Sequence, residues 1–322
     1  MDQRVRSPAS KVEQPGTWEW AACGASVSGA VHQQRGLGCD DAYSYGVAGD
    51  FVVAAIADGA GSVSGTSAWG AYAACQSVLE DAMGPTFIRD FHSGAVGPES
   101  QMRSLFERAL ERVRAQAYAM NLDVALLSTT LSVALADHRR AVFGQIGDGV
   151  IASERAEQIG TLLIESKGEY ANSTWFIQSE NAFEEAFRTV TQYGVSAIAL
   201  STDGMSYKIT NVVTGEAYQP FFRGSWQHVR GGASAEQLEM MLRGIEDDQT
   251  GDDKTLVLVA ARRTGGQCPS SPRFARSVTG SSLAPDVAVG QPGRPPPQPG
   301  SDPPPSGDPG PRWRLLRRRG RR

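Results

Sequence analysis

The chain has 322 residues, 40% hydrophobic and 20% charged, with a formal net charge of −4. That apolar share is enough to bury a core, which excludes a wholly disordered chain, and the length allows one large domain or two small ones. The average conceals a split: residues 264–322 hold 10 arginines, no lysine, 3 aspartates and 13 of the 18 prolines, a net charge of +7, whereas residues 1–263 carry −11.

An acidic globule is therefore joined near Thr264 to a stretch that cannot build a core. The longest apolar runs, Phe51–Ala57 and Val195–Leu200, fall far short of the roughly 20 residues of a bilayer crossing. Residues 1–16 carry Asp2, Arg4, Arg6, Lys11 and Glu13 without an apolar signal core, which predicts a flexible N-terminus and no secretion. Cys23, Cys39, Cys75 and Cys268 show no C-x-x-C spacing, as expected for reduced thiols in the cytoplasm.

In chain order, the alternation from Trp18 to Val27 predicts a first strand, followed by a polar loop from His32 to Asp41. Ala42–Val47 and Phe51–Ala57 read as strands around a turn at Ala48–Asp50, the second apolar throughout and so buried on both faces. From Thr66 the period becomes helical through Trp69, Tyr72, Cys75 and Leu79, until Gly84–Pro85 stops it. Ser100–Asn121 reads as a second helix, with Met102, Leu105, Phe106, Ala109 and Val113 on one stripe. Strands return at Ser128–Ala136, Ala141–Ile146, Val150–Glu154, Ile159–Glu165 and Val195–Ser201. The segment 168–194 has no clear period beyond a short helix around Ala182–Arg188. Ser234 caps a helix to Ile245, and Thr255–Ala261 closes the globule. Strands joined by tight turns, with helices in blocks, indicate an α+β fold of antiparallel sheets covered by helices.

Three apolar strands each run into an Asp-Gly step, at Asp58-Gly59, Asp148-Gly149 and Asp203-Gly204. Gly251-Asp252-Asp253 precedes a fourth strand and Asp40-Asp41 a fifth. Singly, such a step is a hairpin turn, with Gly at positive φ. Together they put carboxylates where strand ends converge, and clustered carboxylates repel unless a cation lies among them. An all-oxygen set suits a hard divalent cation such as Mg²⁺ or Mn²⁺, and the lack of His-x-x-x-His or paired Cys spacing disfavours zinc. Gly59-Ala60-Gly61-Ser62 lacks the Gly-Lys-Ser/Thr of a nucleotide loop, and no Gly-x-Ser-x-Gly elbow occurs.

The order and local sequence of these acids resemble the metal-dependent protein phosphatase family, type 2C, in its compact bacterial branch. The resemblance is carried by His32-Gln33-Gln34-Arg35-Gly36-Leu37-Gly38-Cys39-Asp40-Asp41-Ala42, Ala57-Asp58-Gly59-Ala60-Gly61-Ser62 and Ser128-Thr129-Thr130-Leu131. Gly147-Asp148-Gly149, Ser201-Thr202-Asp203-Gly204 and Asp252-Asp253-Lys254-Thr255-Leu256 follow in the family's order. It covers about residues 17–261, and implies an αββα sandwich of two antiparallel sheets with helices outside each. It also implies a phosphomonoesterase acting on phosphoserine or phosphothreonine through a water activated by two Mn²⁺ or Mg²⁺ ions. Asp58 would bridge both ions and the Gly59 carbonyl would join the second. Asp203 and Asp252 would complete the first ion's shell, Asp40 with Asp41 would lie near the second, and Asp148 would help hold a third, weaker ion.

The match departs from the family in places. Ala60 stands where eukaryotic members have a His, leaving His32 as a proton-donor candidate beside a structural reading of the same residue. Arg35, one residue off the usual offset, is the candidate for binding phosphate. Cys39 reads as a small packed residue beside the acids, and His92, His138 and His228 as surface residues. The domains expected are 1–16, a flexible N-terminus; 17–263, the catalytic domain; and 264–322, a disordered Pro/Arg-rich tail available to an acidic partner. A phosphorylated Ser/Thr protein is the implied substrate, a Ser/Thr kinase the implied counterpart, and a cytoplasmic monomer the expected form. Two alternatives remain: a catalytically weak phosphoprotein-binding module, and a metal phosphohydrolase for small phosphoesters.

Overall fold

All seven residues of Phe51–Ala57 are buried, a state that requires cover on both faces. In the computed structural model, which describes residues 17–60, 65–164, 174–246, 249–264 and 273–276, that cover comes from a second sheet on one side and helices on the other. The N-terminal residues 1–16 and most of the Pro/Arg-rich tail lie outside the described residues.

The elements begin with β1 (Thr17–Val27), α1 (Ala30–Gln34), β2 (Ala42–Ala48), β3 (Phe51–Ala57), α2 (Ser67–Ala82), α3 (Pro85–Ser93) and α4 (Pro98–Ala119). After a 3-10 turn at Val124–Leu127 come β4 (Leu131–Ala136), β5 (Arg140–Ile146), β6 (Val150–Arg155) and β7 (Gln158–Leu162). Then follow α5 (Ala182–Glu185), β8 (Arg188–Tyr193), β9 (Val195–Ser201), a 3-10 turn at Asp203–Met205 and α6 (Ser206–Ile209). The last elements are α7 (Gln219–Arg230), α8 (Ala235–Gly244), β10 (Lys254–Thr264) and β11 (Arg273–Arg276). One sheet has the order β1-β10-β9-β6-β7 and the other β11-β2-β3-β4-β5-β8. Every strand pairing is antiparallel.

Alternation along single strands assigns the layers. In β3, Val52, Ala54 and Ile56 join Trp20, Ile198, Leu200, Val257 and Val259 between the sheets. Phe51, Val53 and Ala55 turn the other way, to Leu79 of α2 and Met102, Leu105 and Phe106 of α4. In β10, Val257 and Val259 face between the sheets, while Leu256 and Leu258 meet Phe222, Trp226, Leu238 and Leu242 of α7 and α8. This is the expected αββα sandwich. Among the described residues no helix is long and apolar enough to cross a membrane.

The structure differs from the sequence expectation at several elements. Gly84 does end the second helix, but Pro85 opens α3 at its first turn, because its fixed φ suits that position. The expected strand from Ser128 starts only at Leu131, since Thr129 and Thr130 are bonded to Asp58 instead. β8 and α7 were not anticipated; the residues of β8 are only partly buried, so no apolar run marks it. α7 hides its Phe222, Trp226 and Val229 period in a segment with no cap. Composition set 264–322 apart as a tail, yet Arg273–Arg276 pairs with β2 as an edge strand. Backbone hydrogen bonds make that strand, and they need no apolar side chains.

The register then sets the position of every loop. Ala42 pairs with Ala57, Leu131 with Ile146, Val150 with Ser201, and Val27 with Lys254. Consequently the segments holding Asp40-Asp41, Asp58, Asp148, Asp203 and Asp252-Asp253 all leave the sheets at one end.

Trp226 is fully buried and its indole N–H donates to the Ile198 carbonyl at 2.9 Å, tying α7 to β9. Trp226→Ala is expected to cost about 3–5 kcal/mol in urea unfolding. Trp18→Ala, at a side chain 57% exposed, should change stability by less than about 0.5 kcal/mol.

Candidate metal centre

Each acid reaches the site on a backbone held by a neighbouring strand end. The Asp58 N–H donates to Thr130 Oγ1 at 2.9 Å, and its carbonyl accepts from the Thr130 N–H at 2.9 Å and Thr129 Oγ1 at 3.0 Å. The Asp40 carbonyl accepts from the Gly59 N–H at 3.2 Å, locking the first two acidic loops together. A Cβ on Gly59 would stand 2.7 Å from the Asp40 oxygen, and one on Gly204 2.0 Å from the Asp253 oxygen. Neither glycine has a positive φ. They follow their aspartates because another chain passes where a side chain would be, a different reason from the hairpin turn expected of Asp-Gly.

Hydroxyls aim several of the carboxylates. Ser67 Oγ donates to Asp40 Oδ2 at 2.7 Å, and Thr202 Oγ1 to Asp41 Oδ2 at 2.7 Å. Thr174 Oγ1 donates to Asp148 Oδ2 at 2.9 Å, while Arg188 reaches the Gly147 carbonyl at 3.2 Å and Gln145 the Gly149 carbonyl at 2.6 Å. Asp40 and Asp41 are buried; Asp58, Asp148, Asp203 and Asp252 are partly buried.

Their charges act on one another. Burial pushes the Asp58 carboxyl well above the carboxylate range, and Asp41, Asp203, Asp252 and Asp148 add to the rise. Asp203 is pushed up to about 7, by burial first and then by Asp148 and Asp252, with a hydrogen bond from Asp58 pulling back. Burial raises Asp41 well above its usual range too, and Asp253 adds to that. The structure thus brings Asp41, Asp58, Asp148, Asp203 and Asp252 into one electrostatic cluster.

A set of hard oxygen donors carrying that much unbalanced negative charge fits divalent cations chemically. Among the described residues, no three His, Cys, Asp or Glu side chains already stand as ligands around one point.

Other candidates fall elsewhere. His32 is buried, with Nδ1 2.8 Å from Asp253 Oδ2. Arg35 is exposed at the C-terminal end of α1, with no side-chain partner among the described residues. Cys39 is a free thiol whose pKa burial and Asp41 push up, which fits a packed residue and not a reactive thiolate. His92 and His138 flank Asp50 at the β2–β3 turn, the opposite end of the sheet. Asp253 is the important residue that sequence reading passed over. It accepts from the Gly29 N–H at 2.7 Å and the Asp40 N–H at 2.6 Å, besides His32. The sequence signal was only the doubling of Asp252-Asp253, which does not say which acid faces inward.

The raised Asp203 pKa has a signed consequence for the metal-free protein. An unfolded Asp titrates near 4, so the folded state holds the extra proton between about pH 4 and 7. Its contribution to stability is therefore full below about pH 4 and is lost as pH rises to 7, at up to about 1.4 kcal/mol per pH unit. In chelator, Asp203→Asn should gain stability relative to wild type across that window, measured by urea unfolding at each pH.

The family described as protein phosphatase 2C matches residues 28–243. Serine/threonine-protein phosphatase 3 of Escherichia coli (strain K12) is 28% identical over 254 residues, 74% of this chain and 97% of that protein. A crystal structure of a bacterial serine phosphatase superposes with a TM-score of 0.50 at 13% identity, covering 76% of this chain and 98% of that one, which supports the fold. With the acids in that family's order on that family's sandwich, the chain belongs to the protein phosphatase 2C family.

Proposed function

We propose that the chain hydrolyses phosphoserine and phosphothreonine in proteins, using a pair of divalent cations held by the acidic end of the sandwich. The observation that carries this reading is the electrostatic cluster of Asp41, Asp58, Asp148, Asp203 and Asp252, assembled from loops far apart in sequence. A protein phosphatase of this family needs such a cluster neutralised before an anionic phosphoester can approach. The curated relative's name, a serine/threonine-protein phosphatase, supports the substrate class.

Asp58 is the central member, since four other acids raise its pKa, and it would be the residue that serves both ions. Asp203 and Asp252 would hold the first, and Asp40, Asp41 and the Gly59 carbonyl would serve the second. Asp148, bonded to Thr174, would complete a third and weaker position with Asp203. When bound, such a pair supplies a deprotonated attacking water and neutralises the phosphoryl oxygens. The protein's own part is to hold oxygen donors on a rigid frame at a partly open end, so that the phosphate meets charge prepared in advance. Manganese and magnesium both suit the donor set. A protein Ser/Thr kinase must supply the phosphoester, which makes such a kinase the functional counterpart. The Pro/Arg-rich tail, by its charge, is a second contact for an acidic partner.

Wild-type protein is expected to hydrolyse a phosphothreonine peptide only with added Mn²⁺ or Mg²⁺. Asp58→Asn and Asp203→Asn should each lower the rate by at least about 10²-fold while unfolding cooperatively. Retained binding of the peptide without turnover under any metal would leave a phosphoprotein-binding module. Turnover of p-nitrophenyl phosphate that outpaces the peptide would favour small phosphoesters.

A further inference from the structure

We propose that the buried His32–Asp253 pair is a positioning device for the acidic centre, holding the Asp40-Asp41 and Asp252 segments in register for a divalent cation. The inference rests on the metal reading above, and it takes His32 out of proton transfer to or from the substrate.

The Asp253 side chain collects donors from segments more than 200 residues away. Oδ1 accepts the Gly29 N–H at 2.7 Å; Oδ2 accepts the Asp40 N–H at 2.6 Å and faces His32 Nδ1 at 2.8 Å. A carboxylate only accepts, so Nδ1 carries the hydrogen of that contact. Both side chains are almost wholly enclosed, 8% exposed for His32 and 2% for Asp253. Such a carboxylate is tolerated in the interior because charge-assisted bonds surround it, and each donor it binds is fixed in turn.

Those donors belong to the site's own framework. Asp40 is held at its N–H by Asp253, at its carbonyl by Gly59 and at its carboxylate by Ser67. Asp41 follows directly and is held by Thr202. On the other side, Asp252 accepts from the Asp253 N–H at 2.8 Å, so the inward acid orients the outward one. The joint between β1 and α1 is pressed onto the same main chain: a Cβ on Gly29 would lie 2.2 Å from the Asp252 carbonyl carbon. The Val31 N–H donates to the Gly251 carbonyl at 3.0 Å. His32 thus enters from α1 as a side-chain donor to a carboxylate that also takes main-chain N–H groups and the Cys39 thiol.

A proton donor to a leaving group needs a ring nitrogen at the rim of the site. His32 has one nitrogen committed to Asp253 and a side chain enclosed by protein. The geometry suits the hold on Asp40 and Asp252, and removing a residue that orients a metal ligand typically weakens metal binding 10- to 100-fold.

The test uses the full chain, stripped of metal and titrated with Mn²⁺, free ion being followed by its electron paramagnetic resonance signal. Thermal unfolding in chelator and peptide kinetics across pH accompany it. His32→Ala should weaken Mn²⁺ binding by about 10- to 100-fold with the number of bound ions unchanged. His32→Asn, whose Nδ2 can donate from the Nδ1 position, should recover most of that affinity. Wild-type affinity in His32→Ala together with a lower unfolding temperature would reduce the pair to a structural contact and overturn the proposal. Unchanged affinity in both variants, with a lower kcat and an altered pH profile, would make His32 a proton donor and overturn it too. Loss of one bound ion in Asp253→Asn would make Asp253 a ligand instead. If wild-type protein binds no Mn²⁺, the metal reading itself fails and the proposal fails with it.

Discussion

Carboxylates placed close together at the edge of a low-dielectric core repel, and the acidic end of this sandwich is built around that fact. Asp58 feels four other acids besides its own burial, and no arrangement of hydroxyls balances such a charge. The fold nevertheless enforces the convergence. Antiparallel register returns the chain to the same end after each pair of strands, and the inter-sheet core presses the two sheets together there. The apolar packing of Ile56, Leu200 and Val257 is thus what holds the acids against their repulsion. A cation is the simplest group that turns this strain into binding energy, and an anionic phosphoester the simplest substrate for the charge that results.

Stability and function divide the polar residues between them. Asp253 faces inward, bonded by the Gly29 and Asp40 N–H groups and facing His32, while its charge still reaches Asp41. Asp252, its neighbour, belongs to the repelling cluster. The opposite end of the sheet offers a comparison. There Asp50 lies between His92 and His138, with His138 Nδ1 2.6 Å from one carboxylate oxygen and His92 Nε2 3.3 Å from the other. The fold thus sets imidazoles beside an acid at one end and acids beside acids at the other.

Much of this was legible before folding. The alternation of β1, the unbroken apolar run of β3 and the stripes of α2 and α4 depend on side-chain period alone, and they appear where that period places them. Two of the elements that escaped have no apolar pattern, β8 with its half-wet side chains and β11, an edge strand within an Arg- and Pro-rich stretch, while α7 has an apolar period but no capping signal. α3 escaped because a proline was read as a stop when it was also a start. At the site, strand-end aspartates were visible as a repeat, while the roles within that repeat were not. The glycines after them read as turns and are in fact gaps for a crossing chain.

By itself, the sequence determined which residue types stand at strand ends, and the order in which they come, because local period and composition are properties of neighbours along the chain. Which acids share one field, and that His32 meets Asp253 across 221 residues, only the tertiary structure decided. Those are facts of register and of layer-on-layer packing. They depend on the distance between atoms in space, which separation along the chain does not encode.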